Sequence, residues 1–166
     1  MKGMDAVNVG DRAPDVTLVN WDRQQVRLWD HFGQPLVLAF FPGAFTGVCT
    51  REMCTFRDSL KQLEEAGGRV IGISVDSPFA QKAWAEQHSL PFPLLSDFNR
   101  RAVKGFGVED PHFAKGLLPG VAKRSVFVLD RDGKVTYRWV SDDPTVEPDY
   151  DEVQEAVGKT KAAARM

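Results

Sequence analysis

The chain has 166 residues, 43% hydrophobic and 27% charged, so it has the length of about one domain and the composition of a globular one, which excludes wholesale disorder. Twenty-one basic against 23 acidic residues leave a net charge of -2, and nothing in that balance favours nucleic acid or an anionic membrane as a partner. The opening MKGMDAVNVGDRAPD has no basic stretch followed by an apolar run. No export signal is expected from it, and a cytoplasmic location is the expectation that follows.

In chain order, residues 1–14 read as a polar lead-in that ends in the turn Gly10-Asp11-Arg12-Ala13-Pro14. Val16–Val19 and Val26–Trp29 read as two short strands joined as a hairpin through Asn20–Gln25. Pro35–Phe41 is a continuous apolar run between Gly33 and Pro42-Gly43, the pattern of a strand buried on both faces. Cys49, Met53, Phe56, Leu60 and Leu63 then form one apolar stripe at helical period. Arg51, Glu52, Arg57, Asp58, Lys61 and Glu64 are expected on the polar face, and Gly67-Gly68 stops the helix.

Val70–Val75 reads as a second buried strand. Ser77 is the candidate N-cap of a helix with Pro78 at its first position, and Phe79, Ala80, Ala83 and Trp84 are its expected apolar side. A short strand over Phe92–Leu95 and a short helix over Asn99–Phe106 follow. Ser125–Leu129 and Val135–Val140 are strands joined through Asp130-Arg131-Asp132-Gly133, a hairpin signal, and Tyr150, Val153, Ala156 and Val157 mark a C-terminal amphipathic helix. The order hairpin, β, α, β, α, β, α, β-hairpin, α implies a single domain over 1–166. It should hold a mixed sheet with helices on both faces, the thioredoxin-like α/β arrangement, extended by an N-terminal β-hairpin.

The chemistry is concentrated between Phe41 and Cys54. Cys49 falls in the first turn of a helix that follows a buried strand, where free backbone N–H groups and the helix dipole favour a thiolate. Taken alone, Cys49 reads more readily as a small buried hydrophobe on the stripe it shares with Met53 and Phe56. Thr46, three residues earlier, is placed either to cap the helix or to hold a polar substrate against the sulfur. Pro42 ends the strand.

Pro42, Thr46 and Cys49 have the spacing of the active-site motif of the peroxiredoxins, the thiol peroxidases of the alkyl hydroperoxide reductase and thiol-specific antioxidant superfamily. The flanks AFFPGAF and CTREMCTFRD, and the later segments ISVDSPFAQKAWAEQH, FPLLSD and RSVFVLDRDGKV, resemble the same family, over roughly residues 5–157. The resemblance implies a peroxidatic Cys49 that becomes a sulfenic acid, a Thr46 that hydrogen-bonds around the peroxide, and a Pro42 that shields the sulfur. Arg124, in AKRSVFVLD, matches the family's arginine. A guanidinium there would stabilise the charges on sulfur and oxygen. Lys123 beside it is the alternative, and Glu52 matches an accessory glutamate.

Cys54 lies five residues after Cys49. In a wound helix their Cα atoms would be roughly 8–9 Å apart, beyond the ~7 Å a disulfide tolerates. Among peroxiredoxins this spacing is similar to the bacterioferritin comigratory protein or Q-type subgroup, which implies Cys54 as the resolving cysteine. Close relatives that lack it use an external thiol. The resemblance further implies no metal, haem or flavin, a peroxide substrate, a thioredoxin- or glutaredoxin-like reductant, and a monomer or weak homodimer. Phe45 is a candidate for an intersubunit contact, and equally for a core or lid aromatic. The chain ends KTKAAARM, unlike the tyrosine-phenylalanine lock that slows resolution in some relatives. A thioredoxin-type reductase would show Cys-x-x-Cys, and His31, His88 and His112 are too scattered for a zinc site. A non-catalytic thioredoxin-fold module is the remaining alternative.

Overall fold

The computed structural model describes residues 7–164. The first part of the expected lead-in, residues 1–6, and the last two residues of the C-terminal segment lie outside them. From Val7 onward the lead-in is anchored: Val7 and Ala13 are buried, and Val7 N–H donates to Phe106 O (3.2 Å).

Nine strands and four α-helices follow among the described residues. In chain order they are β1 (Thr17–Val19), β2 (Gln25–Arg27), β3 (Leu36–Phe40), α1 (Gly47–Glu65), β4 (Arg69–Ser74), α2 (Pro78–Gln87) and β5 (Leu94–Ser96). Next come α3 (Arg101–Gly105), β6 (Glu109–Asp110), β7 (Val121–Ala122), β8 (Ser125–Leu129), β9 (Val135–Val140) and α4 (Tyr150–Ala163). Seven strands form one sheet in the order β2-β1-β5-β4-β3-β8-β9. β3 pairs parallel with β4, and β4 with β5. β8 and β9 add antiparallel strands on one side, and the β1–β2 hairpin does so on the other. This is the mixed thioredoxin-like sheet with an N-terminal hairpin.

Alternation along β3 sends its residues to two cores. Val37 and Ala39 join Cys49, Met53, Phe56, Trp84 and Val153 from α1, α2 and α4. Leu36, Leu38 and Phe40 face the side covered by α3, with Val103 and Phe106. Every β3 residue is fully buried, so the apolar run sits at the centre of the sheet, where both faces are covered. Its C-terminal end delivers the chain to the loop before α1.

The structure corrects three expectations and adds one element. Leu28 and Trp29 do not continue β2. They open a 3-10 turn over Leu28–His31, fixed by Leu28 N–H to Val16 O (2.9 Å) and Trp29 Nε1–H to Ala13 O (3.0 Å), which lets Leu28 drop into the core. On α2 the buried side is Gln81, Trp84 and Ala85, while Phe79 is 64% exposed and Ala83 is exposed, because the helix presents its second turn to the sheet. A small two-stranded sheet, β6–β7, frames residues 111–120. Finally, Glu52 is not on the polar face of α1; it is fully buried.

The helix ends follow local rules. Ser77 Oγ accepts from Ala80 N–H (3.2 Å) with Pro78 at the first position of α2. Gly67, at φ +99°, lets α1 stop with Gly68 N–H donating back to Leu63 O (2.9 Å). No helix among the described residues is long and apolar enough to cross a membrane.

Candidate active site

The site lies where β3 ends and α1 begins. Pro42 is buried, Thr46 is exposed, and Cys49 is fully buried one turn into the helix. The first intrahelical bond runs from Thr50 N–H to Thr46 O (2.9 Å), so by helix geometry the N–H groups of Gly47, Val48 and Cys49 are first-turn donors around the sulfur. Thr46 occupies the N-cap position, yet its hydroxyl does not cap the helix. It turns back and donates to Gly43 O (2.8 Å). Of the two placements open to Thr46, the cap is not made, because the side chain is turned toward Gly43 O rather than toward the first-turn N–H groups.

Arg124 comes from the residue just before β8, the strand antiparallel to β3, so sheet register carries it to the head of α1. Arg124 is 2% exposed. Its Nη2–H donates to Cys49 Sγ (3.2 Å) and to Pro144 O (2.9 Å), its Nε–H to Pro144 O (3.0 Å), and its Nη1–H to Glu52 Oε1 (2.7 Å). One guanidinium thus bridges the sulfur, a buried carboxylate and the loop before α4. Lys123 points elsewhere, to Asp142 (2.8 Å).

Burial pushes the Glu52 carboxyl up to about 7, against the pull of the Arg124 charge. Its second oxygen, Oε2, has no hydrogen-bond partner. Burial also works against the Arg124 charge, but Glu52 and Cys49 outweigh it and hold the guanidinium protonated above its ordinary value. Glu52 is the site residue that periodicity misassigned. Its signal was position, one turn after Cys49 at helical spacing, which puts both side chains on one face.

The loop and first turns of α1 are tied down at several points. Asp76 Oδ2 accepts from Ala44 N–H (2.8 Å). Trp84 Nε1–H donates to Thr50 Oγ1 (3.3 Å), and Arg51 pairs with Glu147 (3.4 Å). Tyr150 packs edge-on against Phe56, with ring centroids 5.3 Å apart. Phe45 holds a left-handed backbone, φ +67°, unusual for a bulky residue, and its ring is 56% exposed beside Trp84. Cys54 is half-buried on the same wound helix, and both thiols are free.

The AhpC/TSA family model matches residues 9–138. The chain belongs to the AhpC/TSA family. It is similar to the chloroplastic peroxiredoxin Q of Triticum aestivum, 42% identical over 131 residues, covering 79% of this chain and 58% of that protein. Against the chloroplastic peroxiredoxin Q of Arabidopsis thaliana it is 43% identical over 129 residues, 78% of this chain and 57% of that one. The chain thus spans under three-fifths of the length of these curated relatives. Among solved structures, the peroxidoxin BcpB from Mycobacterium tuberculosis superposes with a TM-score of 0.79 at 33% identity, over 96% of this chain and 99% of that one. A peroxiredoxin-like protein from Aquifex aeolicus gives a TM-score of 0.83 at 33% identity, over 94% and 89%. In this AhpC/TSA chain Pro42, Thr46, Cys49 and Arg124 come together at one helix end, and Cys54 stands apart, further along α1.

Proposed function

We propose that this chain is a thiol-dependent peroxidase. The observation that carries the reading is the 3.2 Å contact from Arg124 Nη2 to a buried Cys49 Sγ in the first turn of α1. The Arg124 cation lies in direct contact with the sulfur at which the reaction starts, and the thiolate is the nucleophile of that reaction. Cys49 attacks one oxygen of hydrogen peroxide or a small organic hydroperoxide. An S–O bond forms, the O–O bond breaks, and the other oxygen leaves as water or an alcohol after taking a proton. Cys49 is then a sulfenic acid. Thr46 orients the peroxide, Arg124 stabilises charge on the oxygens, and Pro42 keeps water from the sulfur.

Cys54 completes the cycle. Its thiol attacks the sulfenic sulfur, a disulfide forms and water leaves. The first turns of α1 must unwind for this, since a wound helix holds the two cysteines too far apart. A thioredoxin- or glutaredoxin-like dithiol supplies the two electrons that restore both thiols. The cycle uses no metal, haem or flavin. A reducing cytoplasm suits it, and the protein works as a monomer or as a weak homodimer through Phe45.

The test has two parts. Cys49→Ser is expected to lose peroxide turnover by at least about 1000-fold, as for loss of a nucleophile. Retained turnover overturns the peroxidase assignment. After one equivalent of peroxide, non-reducing peptide mapping should give a Cys49–Cys54 link within one chain. A link between chains, or a stable sulfenic acid beside a free Cys54, assigns resolution to an external thiol.

A further inference from the structure

The peptide group between Gly43 and Ala44 is gripped at both ends. Its carbonyl, Gly43 O, accepts from the Thr46 hydroxyl (2.8 Å), and its N–H, on Ala44, donates to Asp76 Oδ2 (2.8 Å). These are two ends of one rigid plane, because the peptide bond does not rotate. Whatever holds the N–H therefore holds the carbonyl, and the carbonyl decides where the Thr46 proton points.

Asp76 is itself fixed from behind. Its Oδ2 also accepts from Ser74 Oγ (2.7 Å). That hydroxyl accepts from Gln81 Nε2 (2.9 Å), which also donates to Leu95 O (3.0 Å). Ser96 Oγ donates to the Asp76 carbonyl. Ser74, Gln81 and Ser96 are buried, and they come from β4, α2 and β5. The carboxylate is thus anchored to the ends of two central parallel strands and reaches out to one loop N–H. A carboxylate on an amide N–H also polarises that amide and makes its carbonyl a stronger acceptor.

We propose that Asp76 is a positioning residue for peroxide reduction, acting on Thr46 through the Gly43–Ala44 peptide. With its proton committed to Gly43 O, the Thr46 hydroxyl presents only lone pairs to the site. It then accepts from the O–H of the incoming peroxide and aims the O–O bond at Cys49. Without Asp76, the peptide plane is free to tilt and the hydroxyl is free to turn. The inference rests on the peroxidase reading and adds to it a residue 27 positions from Cys49 in sequence.

The experiment compares two reactions of Cys49 in the full chain: reduction of hydrogen peroxide, which needs an oriented O–O bond, and alkylation by iodoacetamide, which does not. Asp76→Ala is expected to slow the peroxide step about tenfold, the scale of one lost hydrogen bond, and to leave alkylation within about twofold. Asp76→Asn, whose amide oxygen can still accept from Ala44 N–H, should fall between the two. In a Thr46→Val background, adding Asp76→Ala should slow the peroxide step no further, since the hydroxyl it orients is gone. If Asp76→Ala does not fold, Asp76→Ser, too short to reach Ala44, carries the same comparison. The inference is overturned if Asp76→Ala matches wild type, if it slows alkylation equally, or if its effect persists in full on Thr46→Val. A wild-type chain that alkylates but consumes no peroxide overturns the peroxidase reading and this inference together.

Discussion

Two carboxylates lie buried on opposite faces of the sheet, and they are treated in opposite ways. Asp97 is 2% exposed, at the head of α3. Its Oδ1 accepts from Ala102 N–H (2.9 Å) and its Oδ2 from Val103 N–H (2.8 Å), so neither oxygen is left over. Glu52, on the α1 face, gives one oxygen to Arg124 and leaves the other without a partner. Burial raises the carboxyl pKa of both. The difference is in the partners. Backbone N–H groups hold Asp97 as a structural cap, whereas a side-chain cation shared with a sulfur holds Glu52 in a state that can change. The face around Phe40, Phe106 and Phe127, with ring centroids 5.0 to 5.9 Å apart, is built for packing alone. The face around Cys49 accepts an incompletely satisfied carboxylate for the sake of chemistry.

The largest expected effect that tests this contrast is at Arg124. Arg124→Ala strands a buried carboxylate and removes the cation from the sulfur. It should lower stability by about 3 kcal/mol, the scale for breaking a buried ion pair, and slow the peroxide reaction by about 100-fold or more. Adding Glu52→Gln should return much of the stability in a denaturant titration but none of the rate. If the rate returned as well, the Arg124–Cys49 contact would be structural.

The pH dependence of stability follows from Glu52. Its carboxyl titrates at 4.5 in its ordinary state and at about 7 in the fold. The unfolded chain therefore gives up this proton first. The contribution of protonated Glu52 is fully present below about 4.5 and is lost as pH rises through about 7. Wild type should lose stability relative to Glu52→Gln across that window. A constant difference between the two unfolding curves would place Glu52 in a solvated setting.

Asp97→Ala leaves two N–H groups of α3 without their acceptors. A loss of about 1–2 kcal/mol is expected, with the peroxide rate per folded molecule unchanged within about twofold. A fall in that rate would couple the two faces. The smallest effect belongs to Gly67→Ala. At φ +99°, with a new methyl carbon meeting the Lys161 side chain at 2.8 Å, a cost of about 1 kcal/mol is expected, read in thermal melts and without effect on turnover.

Much of this was legible in the sequence because local rules govern it. The apolar run of β3, the stripe of α1 and the Ser77-Pro78 helix start are all decided within a few residues, and so were predicted. The burial of Glu52 was not, because a helical stripe sorts residues by polarity, although the family resemblance had marked the residue as accessory. Its partner Arg124 lies 72 residues away, brought close only by the β3–β8 register. Phe79 went wrong for the converse reason: an apolar residue was assumed to face the core, while Gln81 takes the buried place by reaching Ser74 and Leu95. The β6–β7 pair has two residues per strand, too few for any alternation to register.

The indole of Trp84 gives the molecule an optical consequence. It lies fully buried, 5.2 Å from the Phe41 ring and 6.4 Å from Phe45, with its N–H on Thr50, the residue directly after Cys49. Unwinding the start of α1 removes that acceptor and admits water to the ring, so the emission of Trp84 shifts to the red and changes in intensity. Of the four tryptophans, Trp21 and Trp139 pack only partly buried against the same core, and Trp84 is the one whose indole N–H bonds the turn proposed to unwind. Each turnover should therefore write its own fluorescence trace, with no added dye.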